Sequence, residues 1–421
     1  MPPSARGFVA GTVFATVTML VGTPASSAAP PRVVGAAASA GAPTDERIAQ
    51  VQKVLDARVA AVVARDEAAW MATVDPRAGT AFRTLQQRQI QGWLALPIIG
   101  FGLQARTRDT GDLGTGLDAR HGAPVFLPET RLRYRLQGYD DRDVVESQML
   151  TFVRRGTNWF VAADDDLDDL AIYTSRNLWD LGPVATIGTE HFLVIHHPEH
   201  ADRANDLGRL AEQALVALQA RWQRVWSERL PVVLPGSVAE LETLLHATLD
   251  VGKFVAFVTY ESVWDDDYQA SAPRLYLQDR NLAGYSEDRQ VEILVHELVH
   301  AASAPLAGPY IPSWVHEGVA DWIAAGKSTT ERRPRGSDGR IPRDYELSTG
   351  SGSSISLAYN ESRSAMSFLA RKRGPDAPVA FFERLGADRL APGSVDHHLD
   401  AALAPVAGFD LARLERDWGR R

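Results

Sequence analysis

The sequence predicts an α+β protein made of two successive units, and three observations carry that prediction. Helical periodicity over 45–94 gives way to strand-like alternation up to about residue 166. Apolar strand runs then alternate with amphipathic helices over 187–280, and beyond them the readable segments are helical. The length of 421 residues exceeds what one ordinary core needs. With 45% apolar and 23% charged residues, the composition argues against wholesale disorder and against a polytopic membrane protein. A formal net charge of -9, without a basic stripe interleaved with aromatics, gives no case for nucleic acid as a partner.

Residues 1–29 read as a secretory signal peptide: Arg6, an apolar run from Phe8 to Val21, then the small-residue stretch GTPASSAAPP, with no acidic residue before Asp45. The run is short for a bilayer span, so no stable membrane insertion is expected after cleavage, with an uncleaved anchor as the competing reading. Residues 30–44, rich in Ala, Gly and Pro, read as a disordered linker. The chain has no cysteine, so an exported form would depend on core size or metal rather than disulfides.

The first unit is placed at 45–170. Apolar residues at Ile48, Val51, Leu55, Val59, Val62 and Val63 have helical spacing, and the expected helix runs over 45–70. A second helix is expected over 82–94. RLRYRLQGYD, VVESQMLTFVRR and NWFVAADDD read as strands, the last two as a hairpin turning at RRGTN. Helices followed by antiparallel strands over 45–166 resemble the nuclear transport factor 2-like cone fold. That fold serves as ligand pocket, interaction module or enzyme and decides none of these. The acidic run Asp164, Asp165, Asp166, Asp168 and Asp169 lacks calcium-loop spacing and reads as a solvated junction. A linker is expected at 171–186.

The second unit is placed at 187–421. HFLVIHHP reads as a strand, 201–226 as a long helix, RLPVVLPGS as a strand, 241–249 as a short helix, and KFVAFVTYE and PRLYLQD as further strands. PRLYLQD is either an edge strand open to an extended peptide or an interior strand.

The stretch VEILVHELVHAAS carries the chemistry. Four residues turn a helix by about 400°, so His296 and His300 project from one face, as two imidazoles on one metal require. Zinc follows, because it takes neutral imidazole nitrogens in a tetrahedral shell and in catalytic sites leaves a position for water. Glu297 lies about 100° round the helix, where it can take a proton from water. Burying three titratable groups among apolar neighbours is costly unless a cation satisfies them. Downstream, PSWVHEGVADW offers Glu317 as a third ligand and Asp321, one turn on, as a carboxylate able to buttress a histidine through its other ring nitrogen.

Here the chain resembles the gluzincin metallopeptidases, and within them the peptidase MA-like domains, over roughly 191–418. The form W-x-x-E-G-x-A is matched by Trp314, Glu317, Gly318 and Ala320. The resemblance implies a thermolysin-like domain with a mixed sheet and a helical lobe. It also implies Zn2+ on His296, His300 and Glu317, Glu297 as general base, and Asp321 supporting the first histidine. LAYNESRSAMSFLARKRG is similar to a later helix of that family, which makes Tyr359 a candidate oxyanion stabiliser; the alternative is that it packs at a helix start. The implied activity is an exported peptidase acting on a peptide or protein substrate. The rival is a binding or scaffold protein with a catalytically silent, zinc-braced domain.

The remaining histidines receive plainer readings. His196, His197 and His200 in HHPEH read as a surface turn rather than a second metal site, and His397 and His398 as a polar helix start. His316 neighbours the proposed ligand and either touches its surroundings or does not. The polar, arginine-rich stretch 327–356 reads either as a mobile lid or as a disordered insertion.

Overall fold

A computed structural model describes residues 44–421, apart from 110–115, 246–250, 265–268, 309, 327–331, 350 and 388–392. The signal and the linker expected before residue 44 lie outside the described residues. The architecture is mixed α+β. No helix among the described residues is long and apolar enough to cross a membrane.

The chain enters through helix α1, Thr44–Ala64, whose Val51 and Leu55 are fully buried. The expected single helix to residue 70 is interrupted. Arg65 turns left-handed at φ 57°, and Asp66 caps the start of α2, Glu67–Ala72, by accepting from the Ala69 amide. Apolar spacing continues through the break, so periodicity hides it while the capping aspartate marks it. After α3, Thr80–Ala95, comes β1, Ile98–Asp109, which the sequence reading missed. Gly100 at φ 65° and register shifts on both sides of its central pairing interrupt the alternation that would have announced it.

A short helix α4, Leu117–His121, leads to β2, Val125–Phe126, β3, Pro128–Leu136, β4, Val144–Gln148, β5, Thr151–Arg155, and β6, Asn158–Ala163. Residues 144–155 therefore form two strands rather than the expected one, and the two join different sheets, β1-β3-β4 and β2-β5-β6. The hairpin expected at RRGTN is present, with β5 and β6 antiparallel and Gly156 left-handed at φ 63°. In the acidic run, Asp164 and Asp166 are not solvated. Asp164 pairs with Arg176 at 2.6 Å, while Asp166 accepts from Arg120, His121 and Thr151.

Helix α5, Leu178–Leu181, follows, capped reciprocally by Asn177 and Asp180. Asp180 is 4% exposed and lines a cavity of about 20 Å³ with Arg58, Trp70 and Trp93. Burial pushes its carboxyl up to about 6, against the pull of the Asn177 amide and Arg176. The folded state thus holds this proton up to a higher pH than the unfolded chain does. The contribution to stability is full below about pH 4 and is lost as pH rises through about 6, a span worth on the order of 3 kcal/mol. Asp180→Asn is expected to flatten the dependence of unfolding free energy on pH between 4 and 6 and to raise stability at pH 7, as read by urea titration at both ends. An unchanged slope would contradict this account of Asp180.

Strands β7, Ala185–Gly188, and β8, Phe192–His196, open a third sheet; α6, Ala201–Gln219, ends short of the expected residue 226. Then come β9, Leu230–Leu234, α7, Val238–Leu245, β10, Ala256–Trp264, and β11, Gln269–Leu277, in the order β10-β11-β9-β8-β7. The sheet is mixed: β8, β9 and β11 are parallel, β7 and β10 antiparallel to their neighbours. The PRLYL part of PRLYLQD lies in β11, an interior strand, which corrects the edge-strand alternative; the outermost strand on that side is β10.

The helical part comprises α8, Asp279–Leu282, α9, Glu287–Ser303, α10, Ser313–Ala325, α11, Asp344–Ser348, α12, Gly352–Arg373, α13, Ala377–Ala387, α14, Val395–Ala407, and α15, Leu411–Gly419. Helices α6 and α9 pack together on one face of the sheet. On the opposite face, Arg274 of β11 reaches Asp140, beyond β3, at 2.5 and 2.8 Å. Residues 332–349 are packed against α12 and α15 rather than forming an open insertion. Ser364 Oγ donates to the Arg332 carbonyl at 2.8 Å, the Ile341 amide donates to Glu415 at 3.1 Å, and Ile341 and Leu347 are buried.

Candidate metal centre

Helix α9 begins after Ser286 with Glu287 and Asp288 in its first turn, where carboxylates suit the positive end of the helix dipole. From Ile293 to Ser303 every side chain is buried, so this helix runs through the core rather than over it. Helix α10 crosses it and also packs closely on α12. A side chain added at Gly318 would come within 2.8 Å of the Ser362 carbonyl, which is why the residue after Glu317 is a glycine.

His296, His300 and Glu317 converge at that crossing, 4%, 1% and 3% exposed. His296 Nε2 lies 3.1 Å from His300 Nε2 and 3.1 Å from Glu317 Oε2, and His300 Nε2 is 3.5 Å from the same oxygen. Ligand atoms around one small tetrahedral metal ion with bonds of about 2.0–2.1 Å sit about 3.3 Å apart, so the observed spacing fits a single shared ion. The chemistry of the donors points the same way, because two imidazole nitrogens and a carboxylate oxygen are all acceptors when deprotonated. A buried knot of acceptors needs a cation or a shared proton. The group can hold a metal ion, and it is the one group of three or more such side chains found among the described residues.

Asp321 Oδ1 stands 2.8 Å from His296 Nδ1, and a carboxylate there requires the proton on Nδ1 and turns the Nε2 lone pair to the centre. Burial opposes protonation of His296, but the carboxylates of Asp321 and Glu317 outweigh it and hold its pKa well above that of free imidazole. Burial likewise opposes ionisation of Glu317, yet His300 and His296 pull its carboxyl down to about 2. A divalent ion entering the group would displace the proton that His296 otherwise holds.

Glu297 is 0% exposed on the same helix. Its charge, with that of Glu317, adds to burial in pushing the Tyr260 hydroxyl upward, so Tyr260 remains a donor. Tyr359 is buried, its ring centroid 6.5 Å from that of His296. It lies two turns inside α12 rather than at a helix start, which corrects that detail of its packing alternative. His316 is partly buried, its ring 6.4 Å from that of His300 and edge-on to Phe382; burial and the His300 charge lower its pKa to about 4, keeping it neutral.

Two plainer readings are corrected. His196 and His197 are buried rather than on a surface turn. His197 Nδ1 is 2.7 Å from the Pro183 carbonyl and its Nε2 3.2 Å from Glu240, contacts that tie the end of β8 to α7. His398 is buried and stacks on Tyr310 at 3.9 Å, whereas His397 is exposed as expected. Polar letters at strand ends and helix starts suggest solvent; here neighbouring elements cover them. Sequence reasoning also missed Tyr260, which donates to the His300 carbonyl at 2.8 Å. A single tyrosine in a strand carries no local signal of a contact 40 residues away.

Comparison with known protein families and with curated proteins finds no significant match to this chain.

Proposed function

We propose that this chain is an exported, zinc-dependent metallopeptidase of the gluzincin type, with a thermolysin-like second unit acting on a peptide or protein substrate. The observation that carries the reading is the buried convergence of His296, His300 and Glu317, with Glu297 on the same helix and Asp321 behind His296. Two imidazoles and one carboxylate are a donor set that suits zinc, and three protein ligands match an open catalytic site rather than a closed structural one. When bound, the ion supplies a Lewis acid that polarises the scissile carbonyl and makes a water easier to ionise.

The chain's residues do the rest. Glu297 takes the proton of the attacking water and returns it to the departing amine. Asp321 fixes the tautomer and orientation of His296. Tyr359 donates a hydrogen bond to the oxyanion as the carbonyl becomes tetrahedral. Export rests on the leader alone.

The test is metal analysis of the purified full-length chain combined with cleavage of an unbiased peptide library. The expected result is about one zinc per chain and a defined cleavage profile that a chelator abolishes and added zinc restores. Cleavage that survives complete metal removal would overturn the mechanism. A zinc-loaded chain that cleaves no peptide would instead be the zinc-braced binding protein.

A further inference from the structure

We infer that Tyr260, on the outermost strand β10, is a positioning residue for His300, acting through that residue's backbone carbonyl. The inference rests on the metallopeptidase reading of the same site and extends it to a residue outside both motifs.

Helix α9 ends at Ser303, and its regular hydrogen bonding fails first at the His300 carbonyl, which would otherwise accept from Ala304. The Ala304 amide turns back to the Ala301 carbonyl as the chain tightens into a 3-10 turn over Ala304–Leu306. Residue 305 is a proline and has no amide hydrogen to offer. The His300 carbonyl, left by the helix's own ladder, accepts instead from the Tyr260 hydroxyl at 2.8 Å and from Ser303 Oγ at 3.1 Å. Ser303 is local and would follow the helix end wherever it moved. Tyr260 comes from a different element, is 2% exposed, and has a rigid ring with two torsions. It therefore fixes where the end of α9 sits relative to the sheet.

That position matters because His300 presents its Nε2 within 3.1 Å of His296 and 3.5 Å of Glu317, and an imidazole's reach is set by its own Cα. Partners that hold a ligating residue in place typically change metal affinity about 10–100-fold when removed.

The test is zinc affinity of the full-length chain, measured by competition with a chelating dye, for wild type and Y260F. Expected is an affinity at least about tenfold weaker in Y260F, with a changed visible spectrum when cobalt(II) replaces zinc. The control is Y134F, which removes another buried phenol hydroxyl, on β3, bonded to Glu146 at 3.0 Å and Asn177 at 3.3 Å. It should lower stability and leave zinc affinity at the wild-type value. Wild-type affinity and spectrum in Y260F would overturn the inference, as would an equal loss in Y134F. Failure of Y260F to fold would also overturn it, making the hydroxyl a determinant of the fold rather than of the site. A wild-type chain without zinc affinity would be distinguishable from all of these and would remove the metallopeptidase reading itself.

Discussion

On the proposed metallopeptidase reading, Glu297→Gln is expected to cut peptide hydrolysis about 10²–10⁴-fold while the chain keeps its full complement of metal. Glutamine preserves the shape and volume of the side chain, which matters at a position that is 0% exposed, where an alanine would leave a void as well as remove a base. What it removes is the carboxylate's ability to accept a proton. The two properties separate because Glu297 is not among the three side chains that converge on the centre. His296, His300 and Glu317 are untouched by the change, so metal content and metal affinity should stay at wild-type values. Paired measurement of zinc content and turnover on the same preparation decides the matter. Turnover near the wild-type rate would remove Glu297 from the mechanism, and loss of zinc together with activity would make it a ligand rather than a base.

How far the site could be read from sequence follows from how local its geometry is. His296 with His300, and Glu317 with Asp321, are each one turn apart on a helix, so the side-chain period alone brings them to one face. The crossing of α9 and α10 that joins the pairs is long-range, and the third-ligand expectation for Glu317 drew on the resemblance of its W-x-x-E-G-x-A form rather than on spacing alone. Tyr260 is the opposite case, reaching His300 through tertiary packing, and no spacing rule connects a strand tyrosine to a helix carbonyl. The same division runs through the fold. Helix α3 and strand β6 follow their periods, whereas β1 does not, because its left-handed Gly100 and register shifts break the alternation on which strand recognition depends. Likewise, burial of His196, His197, Asp164 and Asp166 is set by which neighbours cover them, information that composition does not hold.

Arg274→Ala is expected to destabilise the chain by about 3–5 kcal/mol, more than any surface substitution. The guanidinium and the Asp140 carboxylate meet through two contacts at 2.5 and 2.8 Å, 3% and 0% exposed. Removing the arginine leaves the carboxylate without its counter-charge in a place water does not reach. Asp140 cannot simply withdraw, because Oδ2 also accepts the Leu136 amide at 2.7 Å and so shapes the turn that ends β3. Position adds to the effect. In β10, Tyr260 turns toward α9, so Thr259 faces the other way, and Arg274, paired with Thr259, shares that far face. The pair therefore clamps the end of β3 to the five-stranded sheet on the side away from the metal group. Two consequences follow and can be measured together. Chemical denaturation should show the loss in Arg274→Ala, and hydrogen exchange should show it concentrated in β3, β4 and β11 rather than in α9 and α10. The double variant Arg274→Met with Asp140→Asn, which keeps an acceptor for Leu136 and removes both charges, should recover most of the stability. An Arg274→Ala chain within about 0.5 kcal/mol of wild type would show that the buried pair contributes no more than an exposed one.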